Sequence, residues 1–258
     1  MSSSDGSFVR RSLAAVVLGC CLSSCDSAYV GSDVLWSAEH ETGDLSEWLR
    51  DNAGAAEVDT DDGSVAVSDA FAHTGRYSVK LEKIVAGTPA RGAGPRLIRY
   101  ANLPKHAFYS AWFLIPEAYA TGSYWTILQF DSSAAESSVE DRGVNLQLRT
   151  LPDGNGLVLQ VIFHLSAYLA APLANPPPRV PIGRWFHLEA EFEASVEATG
   201  GLVVWLDGER IYDLRQRSTV DPETLEFLVA SMLVDASPSP VTLYVDDVVI
   251  SRSRTGAH

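Results

Sequence analysis

A chain of 258 residues with 46% hydrophobic and 20% charged side chains carries enough apolar material for a packed core. Its 33 acidic against 19 basic groups leave a formal net charge of −14, which argues against a nucleic-acid partner, because that requires a basic footprint. The same balance weighs against highly sulfated glycans, and no apolar run reaches the roughly 20 residues that span a bilayer.

The first 25 residues read as an address. Arg10 and Arg11 form a positive flank, 12–22 carry no charge, and the segment ends in Leu22-Ser23-Ser24-Cys25. That ending resembles the bacterial lipobox, in which small residues let a peptidase approach and the cysteine thiol takes a lipid. Val17-Leu18-Gly19-Cys20 is a poorer match. The resemblance implies an exported, lipid-anchored protein of the bacterial cell envelope, attached to a membrane through Cys25, with inner or outer membrane left open. The alternative is an ordinary cleaved signal peptide with Cys25 free or lost. Cys20, Cys21 and Cys25 are the only three cysteines, so the rest of the chain has no disulfide, thiol catalyst or zinc–thiolate site.

Residues 26–33 read as a tether, 34–252 as one β-rich domain, and 253–258 as a tail. Apolar residues alternate in short runs, as in Tyr77-Ser78-Val79-Lys80-Leu81, 143–150 and 157–164, which marks half-buried strands. Asp153-Gly154-Asn155-Gly156 links two such runs, and Asp207-Gly208 is a two-residue hairpin signal. Pro176-Pro177-Pro178 reads as a rigid loop at the edge of the sandwich. No long amphipathic helix is evident. The stretch 221–232 begins like a capped helix, yet Leu225-Glu226-Phe227-Leu228-Val229 fits a strand equally well. About a dozen strands at this spacing imply an all-β fold of two packed antiparallel sheets.

Splitting each strand into its faces sharpens the expectation. In 124–131, Leu128 and Phe130 oppose Gln129 and Asp131. In 143–150, Val144, Leu146 and Leu148 oppose Asn145, Gln147 and Arg149. In 157–164, Val161 and Phe163 oppose Gln160, Ile162 and His164. In 185–193, Phe186, Leu188 and Phe192 oppose Trp185, His187, Glu189 and Glu191. Amides donate and accept together, and indole faces stack on sugar C–H surfaces, so a polar face with Trp125 and Trp185 nearby suits a polysaccharide. The alternative is a sheet face that is merely solvated.

The opening Leu35-Trp36-Ser37-Ala38-Glu39-His40-Glu41-Thr42-Gly43-Asp44-Leu45-Ser46-Glu47-Trp48 resembles the first strand of secreted concanavalin A-like jelly rolls. So do Gly183-Arg184-Trp185-Phe186-His187, Gly201-Leu202-Val203-Val204-Trp205-Leu206-Asp207-Gly208 and Leu243-Tyr244-Val245-Asp246-Asp247-Val248-Val249-Ile250. Their order is similar to that of heparin lyase I-like polysaccharide lyases and related lectin and glucanase domains, over roughly 34–252. The resemblance implies a jelly roll. In such lyases a concave-sheet glutamine helps neutralise a uronate carboxylate, a His or Tyr removes the C5 proton, and a Tyr protonates the leaving oxygen. Gln129, in Ile127-Leu128-Gln129-Phe130, stands where that glutamine is expected. Asp131 stands where the family often has histidine. Arg96-Leu97-Ile98-Arg99 lacks the acidic partner usual in alginate lyases, and their Tyr-Phe-Lys strand is absent.

His164 and His187 are candidate general bases, because imidazole titrates near neutral pH; Tyr109 and Tyr168 are the candidate tyrosines. Arg149 can clamp a ligand carboxylate or pair with Glu189 or Glu191. Glu189 and Glu191 are spaced like a carboxylate pair, but the Glu-x-Asp-x-x-Glu pattern of jelly-roll glucanases is missing. In related carbohydrate-binding jelly rolls the first and last strands hold a structural calcium. The resemblance offers Glu41 and Asp246 for that role, against strand-end capping, and implies no other cofactor. Two functional expectations stand: polysaccharide binding on a concave face through Trp125, Gln129, Asn145, Gln147, Arg149, His164, His187 and Glu189, or β-elimination on a uronate glycan through Gln129 with His164 and Tyr109 or Tyr168. A third is a structural envelope protein.

Overall fold

The computed structural model describes residues 33–49, 56–59, 63–83, 95–100, 103–132, 143–151, 154, 156–165, 168–173, 175–237 and 241–257. Cys25 and the leader lie outside the described residues. The described chain is almost entirely strand. One sheet joins β1 (Val34–Ala38), β3 (Gly63–Ser68), β4 (Ser78–Lys83), β6 (His106–Leu114), β12 (Trp185–Glu193), β13 (Gly200–Leu206), β14 (Glu209–Arg217) and β16 (Val241–Ser251). The other joins β2 (Ala56–Asp59), β5 (Arg96–Tyr100), β7 (Ala120–Ser132), β8 (Gly143–Thr150), β9 (Leu157–His164), β10 (Tyr168–Ala170), β11 (Arg179–Val180) and β15 (Leu225–Ser237).

Every described ladder is antiparallel. The result is a two-sheet jelly-roll sandwich. We call the sheets the β6 sheet and the β7 sheet. The order β14-β13-β12-β6-β16-β4-β3 faces the order β10-β9-β8-β7-β15-β5-β2. The first strand does lie beside the last: Val34 pairs with Ser251 and Ala38 with Val248.

Alternation builds the core. Phe130 of β7 stacks on Phe192 of β12 with ring centres 3.9 Å apart and planes 5° from parallel, tying one sheet to the other. Phe227 of β15 and Tyr109 of β6 close around that pair. Burying one such aromatic contributes about 1.5–3 kcal/mol, and with no cysteine in 34–252 this packing carries the domain. Asp207 and Gly208 both take positive φ (49° and 81°), as a two-residue turn between twisted strands requires. In 221–232 both sequence patterns are realised in turn. Asp221 caps one 3-10 turn, Pro222–Thr224, by accepting from the Glu223 N–H, and β15 then runs from Leu225. The only described α-helix is the single turn α1, Ser46–Leu49.

Candidate functional site

The β7 sheet turns one side to the core and the other outward, and the outward side carries the amides. Register fixes how they line up. Glu226 (β15), Asp131 (β7), Gly143 (β8) and His164 (β9) form one row, which ends at Tyr100 on β5 and Tyr168 on β10. The next row is Ile98, Leu228, Gln129, Asn145 and Ile162, and the one after it holds Thr126, Gln147 and Gln160. Gln129, Asn145, Gln147, Arg149 and His164 therefore share one face on three neighbouring strands, with the amides adjacent and with Arg149 and His164 about 20 Å apart at its two ends.

These residues do not form an open solvated face. Gln129 is 9% exposed, Asn145 2%, Gln147 0% and Gln160 8%. A buried amide must find partners or forfeit the hydrogen bonds that water would give it. Some do: Gln129 Nε2 donates to Asp131 Oδ2 at 2.7 Å, Arg149 Nη1 to Gln160 Oε1 at 2.9 Å, and Gln160 Nε2 to the Ala171 carbonyl at 3.2 Å. Asn145 Oδ1 and Thr126 Oγ1 are buried with no hydrogen-bond partner. Each such atom costs about 1–3 kcal/mol of lost hydration, an expense typical of a surface kept ready for a ligand.

Thr126 was not legible in the sequence. Strict alternation puts Thr126 and Gln129 on opposite faces. A register shift between Thr126 and Leu128 sends Ile127 and Leu128 both into the core and turns Thr126 outward beside Gln147. A matching irregularity in β15, between Val229 and Met232, puts Ala230 at φ +58°. A single sequence carries no signal for either.

Four expected site residues lie elsewhere. Trp125 is buried in the core, edge-on to Tyr119, because the residue before Thr126 faces inward. Tyr109 is likewise fully buried between the sheets, its hydroxyl 3.4 Å from the Pro104 carbonyl, and burial pushes its phenol well above the usual range. It reaches no solvent-facing site. His187 and Glu189 belong to β12 in the other sheet. Alternation reports which side of a strand is polar, but not which sheet the strand joins.

Glu189 is fully buried, and its carboxylate holds the C-terminal segment. It accepts from Arg254 Nε (2.8 Å), Thr255 N (2.7 Å), Thr255 Oγ1 (3.1 Å) and Gly256 N (3.3 Å), while the Arg254 guanidinium lies 4.2 Å above Trp205. His187 packs beside Trp112, and neither ring nitrogen has a partner. Burial lowers its pKa to about 4. Glu189 and Asp207 pull it upward without cancelling that effect, and His73 and Arg254 push it down. It is neutral at pH 7 and remote from the amide face.

The folded chain thus refuses a proton that the unfolded chain accepts below about pH 6.5. Stability from this group is complete above that pH and falls as pH drops toward about 4, by on the order of 3 kcal/mol. Denaturant unfolding of the wild type and of His187→Phe at a series of pH values checks this. The variant should lose that part of the acid sensitivity, and an unchanged slope would contradict it.

Glu41 and Asp246 do not fit a calcium site. Glu41 accepts from the backbone N–H groups of Arg76 and Tyr77, and Asp246 from His40 Nδ1 (3.3 Å) and the N–H of His73 (2.9 Å). Calcium is held by a shell of oxygens, whereas these carboxylates face N–H donors. Among the described residues no group of three or more His, Cys, Asp or Glu is arranged to hold a metal. Asp246 instead fastens loop 69–77 to the last strand, and Glu41 fastens it to the segment after β1.

The sandwich is similar to several solved structures. The endo-β-1,4-glucuronan lyase of the fungus Trichoderma reesei aligns with a TM-score of 0.62 at 14% identity, over 85% of this chain and 96% of that one. The alginate lyase vAL-1 from Chlorella virus aligns with a TM-score of 0.60 at 13% identity, over 86% and 100%. Domain 4 of AbnA, an arabinanase from Geobacillus stearothermophilus, in complex with arabinotriose, aligns with a TM-score of 0.53 at 15% identity, over 86% and 93%. At these identities the likeness is one of fold. No curated protein matches the chain. The family described as polysaccharide lyase matches residues 40–227, well over half of the chain, and the protein belongs to that family.

Proposed function

We propose that the domain binds a polysaccharide along the outer face of the β7 sheet, over Thr126, Gln129, Asn145, Gln147 and Gln160. One observation carries this: a row of amides is buried to within 9% of complete, with Asn145 Oδ1 and Thr126 Oγ1 unpartnered. A solvated face would leave such groups to water, and a structural polar network would pair them. Membership of a polysaccharide lyase family, and a fold relative holding arabinotriose, support the same reading.

Affinity electrophoresis through gels loaded with assorted polysaccharides tests it. At least one glycan should retard the wild type, and Gln129→Ala and Asn145→Ala should migrate as in glycan-free gel. Trp125→Ala would probe the core instead. Retardation unaffected by both cleft variants would sink the proposal.

β-Elimination on a uronate polymer is the second reading, supported by Gln129 and His164 on one face with Tyr168 as the register partner of His164. Gln129 Nε2 donates one hydrogen bond to Asp131 Oδ2 at 2.7 Å. Ultraviolet absorbance of an unsaturated product, from alginate or glucuronan, decides between them.

We also propose that Cys25 carries a lipid that holds the domain at the cell envelope, on the strength of Leu22-Ser23-Ser24-Cys25 behind Arg10-Arg11. Cys25→Ser should then leave the membrane fraction. If both proteins partition alike, the anchor is wrong.

A further inference from the structure

We propose a second glycan site on the opposite side of the sandwich, where Trp112 and Trp185 on the outer face of the β6 sheet and His73 of loop 69–77 form an aromatic corner. One sugar ring packs against this corner and shares a hydroxyl with His73 Nε2. The site is independent of the amide face.

Three rings build the corner. His73 lies flat on Trp112, with ring centres 3.7 Å apart and planes 14° from parallel, and it meets Trp185 at 5.9 Å and 67°. The two tryptophans come from neighbouring strands: Trp112 is the register partner of His187, and Trp185 stands two residues before His187. Both are half-buried, unlike the buried Trp48, Trp125 and Trp205, so part of each indole stays open. Planes set at a steep angle give a floor and a wall for the C–H side of a pyranose.

Polar groups at the corner match the rest of a sugar. Asp247, 1% exposed, accepts from His73 Nδ1 at 2.7 Å and from Thr74 Oγ1 at 2.9 Å. The carboxylate therefore holds the Nδ1 proton, and Nε2 is left without a hydrogen-bond partner on a side chain 17% exposed. A hydroxyl both donates and accepts, so it serves Nε2 whether the ring is neutral or charged. His187 is a second sign. It packs 5.0 Å from Trp112 and is 1% exposed, with neither ring nitrogen bonded. A patch that served the fold alone would pair them.

The surroundings suit a sugar better than a protein. Of the strongly exposed apolar side chains Leu35, Phe71, Leu169, Leu173 and Val196, only Phe71 belongs to this loop. The corner does not widen into the apolar centre of a protein interface.

Calorimetry and tryptophan emission on the full chain test this with the hexamers of cellulose, xylan, mannan, glucuronan and alginate. The amide face holds no tryptophan among the described residues, Trp125 being in the core, so a shift in emission reports the corner. With Gln129→Ala and Asn145→Ala combined to silence the amide face, at least one hexamer should still bind and shift the emission. Adding Trp185→Leu should weaken that hexamer about tenfold or more at unchanged Tm, while Trp185→Tyr should keep most of the affinity. If Trp185→Leu lowers the Tm, the position of the hexamer in a soaked crystal of the double variant decides alone.

A double variant that binds no hexamer, while the wild type still does, would overturn the corner and leave the amide face intact. Binding that Trp185→Leu leaves unchanged would overturn it too. If the wild type binds no hexamer, both readings fall.

Discussion

Asp246→Ala lowers folding stability by about 3–5 kcal/mol, the loss expected when a buried charge network is broken from one side. The carboxylate is fully buried at a bulge of β16, where the pairing with β6 shifts between Asp246 and Val249 and Asp247 takes φ +45°. Its Oδ1 accepts from His40 Nδ1 and from the Asp247 N–H; its Oδ2 accepts from the N–H of His73. The far nitrogen of His40, Nε2, accepts from Trp48 Nε1 at 3.1 Å, which fixes the tautomer with its proton on Nδ1. One carboxylate thus fastens both the segment after β1 and the loop before β4.

Burial pushes the Asp246 pKa up and the His40 hydrogen bond pulls it down. Removing the acid strands several donors with no water to receive them. Thermal unfolding should show a Tm drop of roughly 10 °C for a domain of this size. Asp246→Asn, which keeps the shape and one acceptor, should lose less. Alanine at wild-type Tm would contradict the clasp.

The second large effect runs the other way on stability. Asn145→Ala should abolish glycan retention while leaving the fold as stable as wild type or up to about 1 kcal/mol more so, since it deletes a buried acceptor that nothing in the free protein satisfies. A structural asparagine behaves oppositely: its removal costs stability, and any lost binding follows from unfolding. Denaturant titration set beside glycan electrophoresis separates the two. A destabilised Asn145→Ala that still binds would mean that the amide serves the sheet.

Much of the sandwich was legible because period-two alternation reports burial directly. β8, β9 and β12 begin and end where their apolar faces do. The pairing of first and last strands followed from the resemblance of their sequences to known jelly rolls. What alternation leaves out is the partner of each strand. β12 has the same polar face as β8 and β9, but it pairs with β6 and β13, so His187 and Glu189 are carried to the opposite side of the molecule. The bulge at Ile127 defeats parity itself and hides Thr126. Trp125 misled for the same reason: parity groups it with Gln129 and Asp131, and the bulge at Ile127 turns it into the core.

The central claim is that glycan lies on the outer face of the β7 sheet, and a crystal structure with a bound oligosaccharide tests it most directly. Density for the sugar should run over Gln129, Asn145 and Gln147, with a sugar hydroxyl within hydrogen-bond distance of Asn145 Oδ1. Sugar bound instead on the β12 face, beside Trp112 and Trp185, with the amide row empty, would contradict it.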